Sequence, residues 1–149
     1  MMSETLDDFV KDLQDEIFED TIKAYGQRGF ERWRNPLYMK PMDNPDGYGR
    51  ITGPCGDTMK IYLKFERGVV KEASFETDGC GSSMICGSFA AELALGKRPA
   101  EIQDIKQETI IKTIGRLPEE DRHCALLAAN TLLKAVCDYE KHRDMDKEI

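Results

Sequence analysis

Cysteines are the residues of this sequence with the clearest chemical potential, because a thiolate can act as a nucleophile or bind a soft metal ion. The chain of 149 residues has five of them. That number is odd, and a chain of this length can bury a sufficient core without cross-links, so metal binding or thiol chemistry is favoured over a disulfide framework. No two cysteines form a C-x-x-C pair. This argues against zinc ribbons, thioredoxin-like redox sites and ordinary ferredoxin motifs.

Three cysteines stand where a metal centre could form. Cys55 and Cys80 each lie in a short glycine-rich loop, and glycine permits the close backbone approach that a small inorganic centre needs. Cys124 follows His123 in the first turn of a predicted helix, and Cys80 precedes another. At the start of both helices the free backbone N–H groups are expected to stabilise a thiolate and so to lower the thiol pKa. Together with Asp57 these residues form a set of thiols, imidazole and carboxylate that suits Zn²⁺ or an iron–sulfur centre.

The other two cysteines have a simpler interpretation. Cys86 and Cys137 each fall inside a predicted helix. A free cysteine in such a position usually behaves as a small hydrophobic side chain, so we expect both to pack in the core. Cys86 follows Cys80 by only six positions, which keeps it close to the candidate centre.

A β-hairpin is expected to bring two of the metal-binding loops together. Alternating hydrophobic residues predict strands over 59–65 and 69–77, preceded by a short strand at 49–52. A two-residue turn at 67–68 and a three-residue loop at 66–68 give different registers. The three-residue loop, which pairs Met59 with Phe75 and Phe65 with Val69, is favoured because it keeps the apolar residues on one face. Cys55 and Cys80 then leave the same end of the hairpin.

Helices are predicted on both sides of this hairpin. The first covers residues 5–25, with Thr5 and Asp8 as a capping box and Gly26 as its end, and we expect it to pack on its own domain. Further helices are predicted over 84–95, after residue 99, over 107–114 and from 118–121 to 142. Ser82 or Ser83 is the expected cap of the second helix. The expected inward residues of the last helix are Leu126, Ala129, Leu132, Leu133 and Val136.

Charge and hydropathy exclude several classes of partner. The net charge is −7, which disfavours nucleic acid or an anionic membrane surface as the main partner. No apolar run approaches the ~20 residues of a membrane span. The N-terminus is acidic and lacks an apolar signal core, so a cytoplasmic location is expected.

The cysteine motifs, with their neighbours, resemble those of the iron–sulfur cluster assembly scaffold family, the IscU proteins and the N-terminal domain of NifU. The resemblance runs from residue 35 to residue 141, and three separate cysteine motifs occur in the family's order. The matching segments are Asn35-Pro36, Gly53-Pro54-Cys55-Gly56-Asp57-Thr58-Met59-Lys60, Phe75-Glu76-Thr77-Asp78-Gly79-Cys80-Gly81-Ser82-Ser83, Leu117-Pro118 and His123-Cys124-Ala125-Leu126-Leu127-Ala128.

This resemblance implies an α+β fold in which a small antiparallel sheet of about three strands packs against several helices. It also implies a non-enzymatic scaffold that assembles a transient [2Fe–2S] cluster and transfers it to apo-proteins. Cys55, Cys80 and Cys124 match the family's cysteine ligands, and Asp57 or His123 would be the fourth ligand. Sulfur would come from a pyridoxal-phosphate cysteine desulfurase, with Cys124 as the persulfide acceptor, and iron and electron donors would complete assembly.

The sequence also departs from the family. The IscU branch has Leu-Pro-Pro-Val-Lys before its His-Cys pair, and a specialised Hsp70 chaperone binds that motif. Here acidic residues follow Leu117-Pro118, which puts recognition by that chaperone in doubt. His123 is retained, unlike in the zinc-dependent SufU branch, and this favours the cluster scaffold.

Two alternatives remain, a zinc-bound persulfide acceptor of the SufU type and a structural zinc-binding interaction module. Zn²⁺ could also occupy the cluster-free scaffold. We divide the chain into an N-terminal helical extension (1–34), the scaffold domain (35–142) and a charged tail (143–149).

Overall fold

An antiparallel sheet with strand order β1-β2-β3 lies at the centre of the fold. A computed structural model describes residues 5–147. Within this range the strands are β1 (Gly47–Thr52), β2 (Thr58–Glu66) and β3 (Val69–Thr77). The predicted α+β class, with a small antiparallel sheet and several helices, is therefore confirmed.

The predicted register of the β2–β3 hairpin is wrong. Glu66 pairs with Val69 across a two-residue turn, and both turn residues have positive φ, 56° at Arg67 and 83° at Gly68. This is the conformation that suits the right-handed twist of a hairpin. Beyond the turn the register shifts, because Lys71 is an extra residue that has no partner in β2. Such a bulge breaks the strict alternation of faces on which the prediction depended.

Five α-helices and a short 3₁₀ helix accompany the sheet within residues 5–147. They are α1 (Leu6–Arg34), α2 (Gly81–Ala94), α3 (Pro99–Ile102), α4 (Gln107–Ile114), the 3₁₀ helix Glu119–Asp121 and α5 (Arg122–Lys147). The bounds of α4 match the prediction, whereas α5 continues beyond residue 142 into the predicted tail. The chain ends, 1–4 and 148–149, lie outside the described residues. None of the described helices is long and apolar enough to cross a membrane.

The core lies between one face of the sheet and helices α2, α4 and α5. Met59, Ile61 and Leu63 of β2 are fully buried there. β1 lies unusually close to α5, because a Cβ atom at Gly49 would collide with the backbone carbonyl oxygen of Thr131. This close packing fixes the position of α5 relative to β1.

The N-terminal helix differs from the prediction in two respects. Its capping box between Thr5 and Asp8 is present, but Gly26 (φ 74°) is a kink from which the helix continues to Arg34 rather than its end. Residues 5–17 are all exposed; Phe18 packs on Phe30 further along the same helix, and Tyr25 contacts Ser82 of α2. The expectation that this helix packs on its own domain is therefore met by its later part only, because its first turns extend past the elements that form the core.

Three side chains of α5 that were expected to be buried face outward. Leu126, Leu133 and Cys137 are exposed, whereas Ala129, Leu132 and Val136 are buried. Only one side of α5 packs against β1 and the other helices. Residues on its opposite side, including these three, therefore face solvent.

Candidate metal centre

Backbone and side-chain hydrogen bonds join the loop before β2 to the loop after β3. The Thr58 amide donates to Asp78 Oδ1 at 2.7 Å, and the Asp78 amide donates to the Thr58 carbonyl at 3.3 Å. The Thr77 hydroxyl donates to the same carbonyl at 2.8 Å. As predicted, Cys55 and Cys80 therefore lie at one end of the hairpin, and both are exposed.

Glycines allow the segment around Cys80 to pack closely against its neighbours. A Cβ atom at Gly79 would lie 2.5 Å from Ser83 Oγ and 2.9 Å from Asp57 Oδ2. One at Gly81 would lie 2.7 Å from Cδ1 of Trp33. Cys80 itself is the N-cap of α2, without a side-chain capping bond, so neither of the predicted serine caps is present.

The buried Ser83 hydroxyl connects two of the predicted site residues. Ser83 Oγ lies 3.4 Å from Asp57 Oδ2 and 3.5 Å from Cys124 Sγ, and it can donate to either atom. The half-buried carboxylate of the first loop and the buried thiol of α5 thus share one hydroxyl group.

The thiol of Cys124 has a raised pKa, contrary to the sequence-based prediction. Burial of the sulfur is the main cause and raises the pKa to about 11. The hydrogen bond from Ser83 opposes this change, while negative charge at Cys80, Asp121 and Cys55 adds to it. Cys124 does lie in the first turn of α5, where the helix terminus should lower its pKa. At this position, however, the effect of desolvation on the pKa is larger than that of the helix terminus.

His123 lies on the exposed side of the same helical turn. Its Nε2 atom is 3.6 Å from Cys124 Sγ. The imidazole can therefore approach the buried thiol from the solvent side, whereas Asp57 approaches it through Ser83.

Cys86 is fully buried, which confirms the prediction of core packing for this residue. Burial raises its thiol pKa well above the ordinary value, and charge at Cys124 adds to the effect. The thiol is therefore protonated at neutral pH and poorly suited to bind a metal ion.

Side chains from α1 border the candidate centre, and the sequence-based interpretation missed them. The Tyr25 hydroxyl lies 2.7 Å from the Ser82 hydroxyl and donates to Asp121 Oδ2 at 3.5 Å. Burial raises the pKa of this phenol. Trp33 lies against the backbone of Gly81. Both side chains occur at helical spacing in α1, a signal that cannot be told apart from ordinary core packing.

The candidate ligands do not form a closed cage. Among residues 5–147, no three His, Cys, Asp or Glu side chains are close enough to hold one metal ion together. Cys55 and Cys80 lie in exposed loops. These loops would have to move before their thiols and that of Cys124 could bind the same metal ion. Three thiols, a carboxylate and an imidazole nevertheless form a donor set that suits iron–sulfur clusters and zinc.

Fold and site together define an α+β domain with two exposed loop cysteines, Cys55 and Cys80, at one end of the hairpin and a buried one, Cys124, in the first turn of α5. The chain belongs to the NifU-like N-terminal domain family, whose model matches residues 24–146. This confirms the resemblance found in the cysteine motifs.

Curated relatives at moderate identity are scaffold proteins. The chain is 34% identical over 125 residues to the iron–sulfur cluster assembly scaffold protein IscU 1 of Archaeoglobus fulgidus, covering 83% of this chain and 82% of the relative. It is also 34% identical over 126 residues to IscU of Escherichia coli, covering 81% and 98% of the two chains.

Solved structures share the fold. A NifU-like N-terminal protein from Brucella abortus superposes with a TM-score of 0.62 at 22% identity, covering 83% of this chain and 98% of that one. A putative scaffold protein for the SUF system from Fervidobacterium islandicum gives 0.60 at 17% identity, covering 78% and 98%. At such identities the likeness supports the architecture alone.

Proposed function

We propose that this protein is a scaffold on which a transient [2Fe–2S] cluster is assembled and from which it passes to apo-proteins. The observation that supports the proposal is that Cys55 and Cys80 lie in loops joined at one end of the hairpin, while Ser83 links Asp57 of the first loop to Cys124 of α5. The relatives named as IscU scaffolds support it. The protein then acts without catalysing a reaction of its own, and we place it in the cytoplasm.

The ligands differ in exposure, and this difference suits assembly and release. Cys55 and Cys80 would bind iron from exposed loops, while the buried Cys124 would anchor the cluster to α5. Asp57 or His123 would complete the coordination as an exchangeable oxygen or nitrogen ligand. Three thiolates and one weaker ligand near the surface should release a cluster more easily than a buried cage of four cysteines.

Sulfur would arrive by thiol–persulfide exchange from a pyridoxal-phosphate cysteine desulfurase. The Cys124 thiolate would attack the outer sulfur of the desulfurase persulfide, forming a new S–S bond as the desulfurase thiolate leaves. Reduction of the bound sulfur to sulfide then takes two electrons from an external donor. Because the Cys124 pKa is about 11 in the free protein, docking of the desulfurase must displace its proton, and His123 lies close enough to accept it.

Reconstitution under anaerobic conditions tests this proposal. Protein, ferrous iron, cysteine, a desulfurase and a dithiol reductant as the electron donor should yield visible absorption and two acid-labile sulfides for each cluster. Ser variants of Cys55, Cys80 or Cys124 should lose most of this signal, whereas Cys137→Ser is the matched control, an exposed thiol outside the set. Full cluster formation in all three site variants would contradict the proposal.

A zinc-bound persulfide acceptor is the alternative, because three thiols and a carboxylate also suit tetrahedral Zn²⁺. This function predicts stoichiometric zinc and stimulation of the desulfurase without any requirement for iron. A purely structural zinc module would instead unfold on chelation and carry no persulfide at Cys124. Metal and sulfide analysis of anaerobically purified protein, before and after reconstitution, distinguishes the three.

A further inference from the structure

The side chain of Tyr25 in α1 connects the starts of the two helices that carry candidate thiol ligands. Its hydroxyl lies 2.7 Å from Ser82 Oγ, which is in the first turn of α2, two residues after Cys80. The same hydroxyl lies 3.5 Å from Oδ2 of Asp121, the residue directly before α5 and three residues before Cys124. One phenol therefore bridges the start of α2 and the start of α5.

The part of α1 that carries Tyr25 is itself held in place from both sides. The Arg28 guanidinium donates to the Thr113 carbonyl in α4 at 3.0 Å. The Arg116 guanidinium, just after α4, donates to the Lys23 carbonyl at 3.0 Å. These bonds lie two residues before and three residues after Tyr25 in α1. The phenol thus extends from a fixed segment of the helix and not from its exposed first turns.

The chemistry of the hydroxyl groups favours a stable bridge. Burial raises the pKa of the Tyr25 phenol, so it keeps its proton at neutral pH and can donate to Asp121 while it accepts a bond from Ser82. Ser82 is buried, and a buried hydroxyl that loses its partner pays a desolvation penalty. Separation of α2 from the phenol is therefore unfavourable.

We propose that Tyr25 is a positioning residue for the metal centre, whose hydroxyl holds the start of α2 beside the start of α5 so that Cys80 and Cys124 can bind one metal ion. This inference rests on the proposed function, because it concerns the same thiols. With the helix starts held, only the cysteine loops have to move when a metal binds. A smaller rearrangement lowers the conformational cost of binding and so raises the affinity.

Titration of the reduced full chain with Co²⁺ under anaerobic conditions tests this role. The intensity of thiolate-to-cobalt charge-transfer absorption reports how many thiolates are bound to each ion. Tyr25→Phe removes only the hydroxyl, and it should raise the Co²⁺ dissociation constant roughly tenfold, the effect of one hydrogen bond. The absorption for each bound ion should also fall, because Cys80 and Cys124 then bind the same ion less often.

Repeating the substitution in a Cys80→Ser background separates positioning from a general loss of structure. If Tyr25 acts by aligning Cys80 with Cys124, the effect should disappear when one of the two thiols is absent. Tyr25→Phe should then change the dissociation constant by less than about twofold. A loss as large as in the wild-type background would overturn the proposal.

Two further comparisons complete the test. Tyr139→Phe is the matched control, since this ring stacks on Phe65 towards the other end of α5, and it should leave Co²⁺ binding unchanged. Urea denaturation of the metal-free protein measures any structural role, and lower stability of Tyr25→Phe with unchanged Co²⁺ affinity would overturn the positioning role alone. Wild-type protein that binds no Co²⁺ through its thiols would contradict the proposed function as well.

Discussion

The Ser83 hydroxyl lies 3.5 Å from the Cys124 sulfur, at the point where the first turns of α2 and α5 meet. Ser83 is fully buried and Cys124 almost so. A hydroxyl that donates to sulfur stabilises the thiolate, and here it partly offsets the desolvation that raises the thiol pKa. Since the same hydroxyl lies 3.4 Å from the Asp57 carboxylate, it couples this thiol to the loop that carries Cys55.

Ser83→Ala should make Cys124 less reactive. Loss of the hydroxyl removes the one hydrogen bond that lowers the Cys124 pKa, so the thiolate fraction at a given pH should fall. The rate of alkylation, measured against pH in a background lacking Cys55, Cys80 and Cys137, should decrease. A rise of the pKa by about 1 would slow alkylation about tenfold at any pH well below the pKa.

Ser82→Ala is the matched control for that experiment, because the Ser82 hydroxyl is equally buried but bonds to Tyr25 rather than to Cys124. It should leave the alkylation rate unchanged. Equal rates in wild type and Ser83→Ala would mean that the hydroxyl has no influence on the thiol.

Gly79→Ala should destabilise the protein. The new methyl group would meet Ser83 Oγ at 2.5 Å and Asp57 Oδ2 at 2.9 Å, and relieving such overpacking typically costs about 1–3 kcal/mol. Chemical denaturation measures the loss. Gly53→Ala in the neighbouring loop is the comparison, since its Cβ would make only ordinary contacts, at 3.7 Å with Leu127. Similar stability of the two variants would contradict this account.

Local signals in the sequence predicted the elements well. The helix over 107–114, the capping box at Thr5 and the convergence of Cys55 and Cys80 at one end of a hairpin all follow from periodicity, capping and glycine placement. The family resemblance added the relation of Cys124 to these loops, which spacing alone does not specify.

Features that depend on tertiary packing were not predictable in the same way. The Lys71 bulge changes which residues face the core, and no residue type marks it. Cys124 lies at a helix start, where its thiol pKa was expected to be low, but burial against other elements raises the pKa instead. The apolar residues of α1 give the same periodic pattern in the sequence whether or not they pack against the rest of the chain, and the structure leaves its first turns exposed.

Stability should fall in alkaline solution because of the buried thiols. Burial raises the pKa of Cys86 well above its usual value and that of Cys124 to about 11. Above about pH 9 the unfolded chain releases these protons while the folded chain keeps them, so the free energy of unfolding falls as pH rises. Each thiol contributes a slope of at most about 1.4 kcal/mol per pH unit. Urea denaturation should show a shallower decline for Cys86→Ala, and an unchanged slope would contradict this cause.

The fluorescence of Trp33 should report loading of the site. Trp33 is the single tryptophan of the chain, and its indole lies against Gly81, next to Cys80. A cluster bound through Cys80 absorbs at the wavelengths of tryptophan emission and should quench it. Emission measured during reconstitution should fall in step with the rise of visible absorption. Cys80→Ser should prevent the quenching, and the exposed Cys137→Ser should not.

Asp57→Ala should make a bound cluster last longer. Asp57 is half-buried and linked through Ser83 to Cys124, so its carboxylate can compete for iron beside the thiolates and ease ligand exchange. Without it, the half-life of the cluster during purification, followed by visible absorption, should increase severalfold. Asp57→Asn retains a hydrogen-bond acceptor for Ser83 but removes the charge, and it should also slow the loss if charge is the cause. Faster loss in both variants would show that Asp57 stabilises the cluster instead.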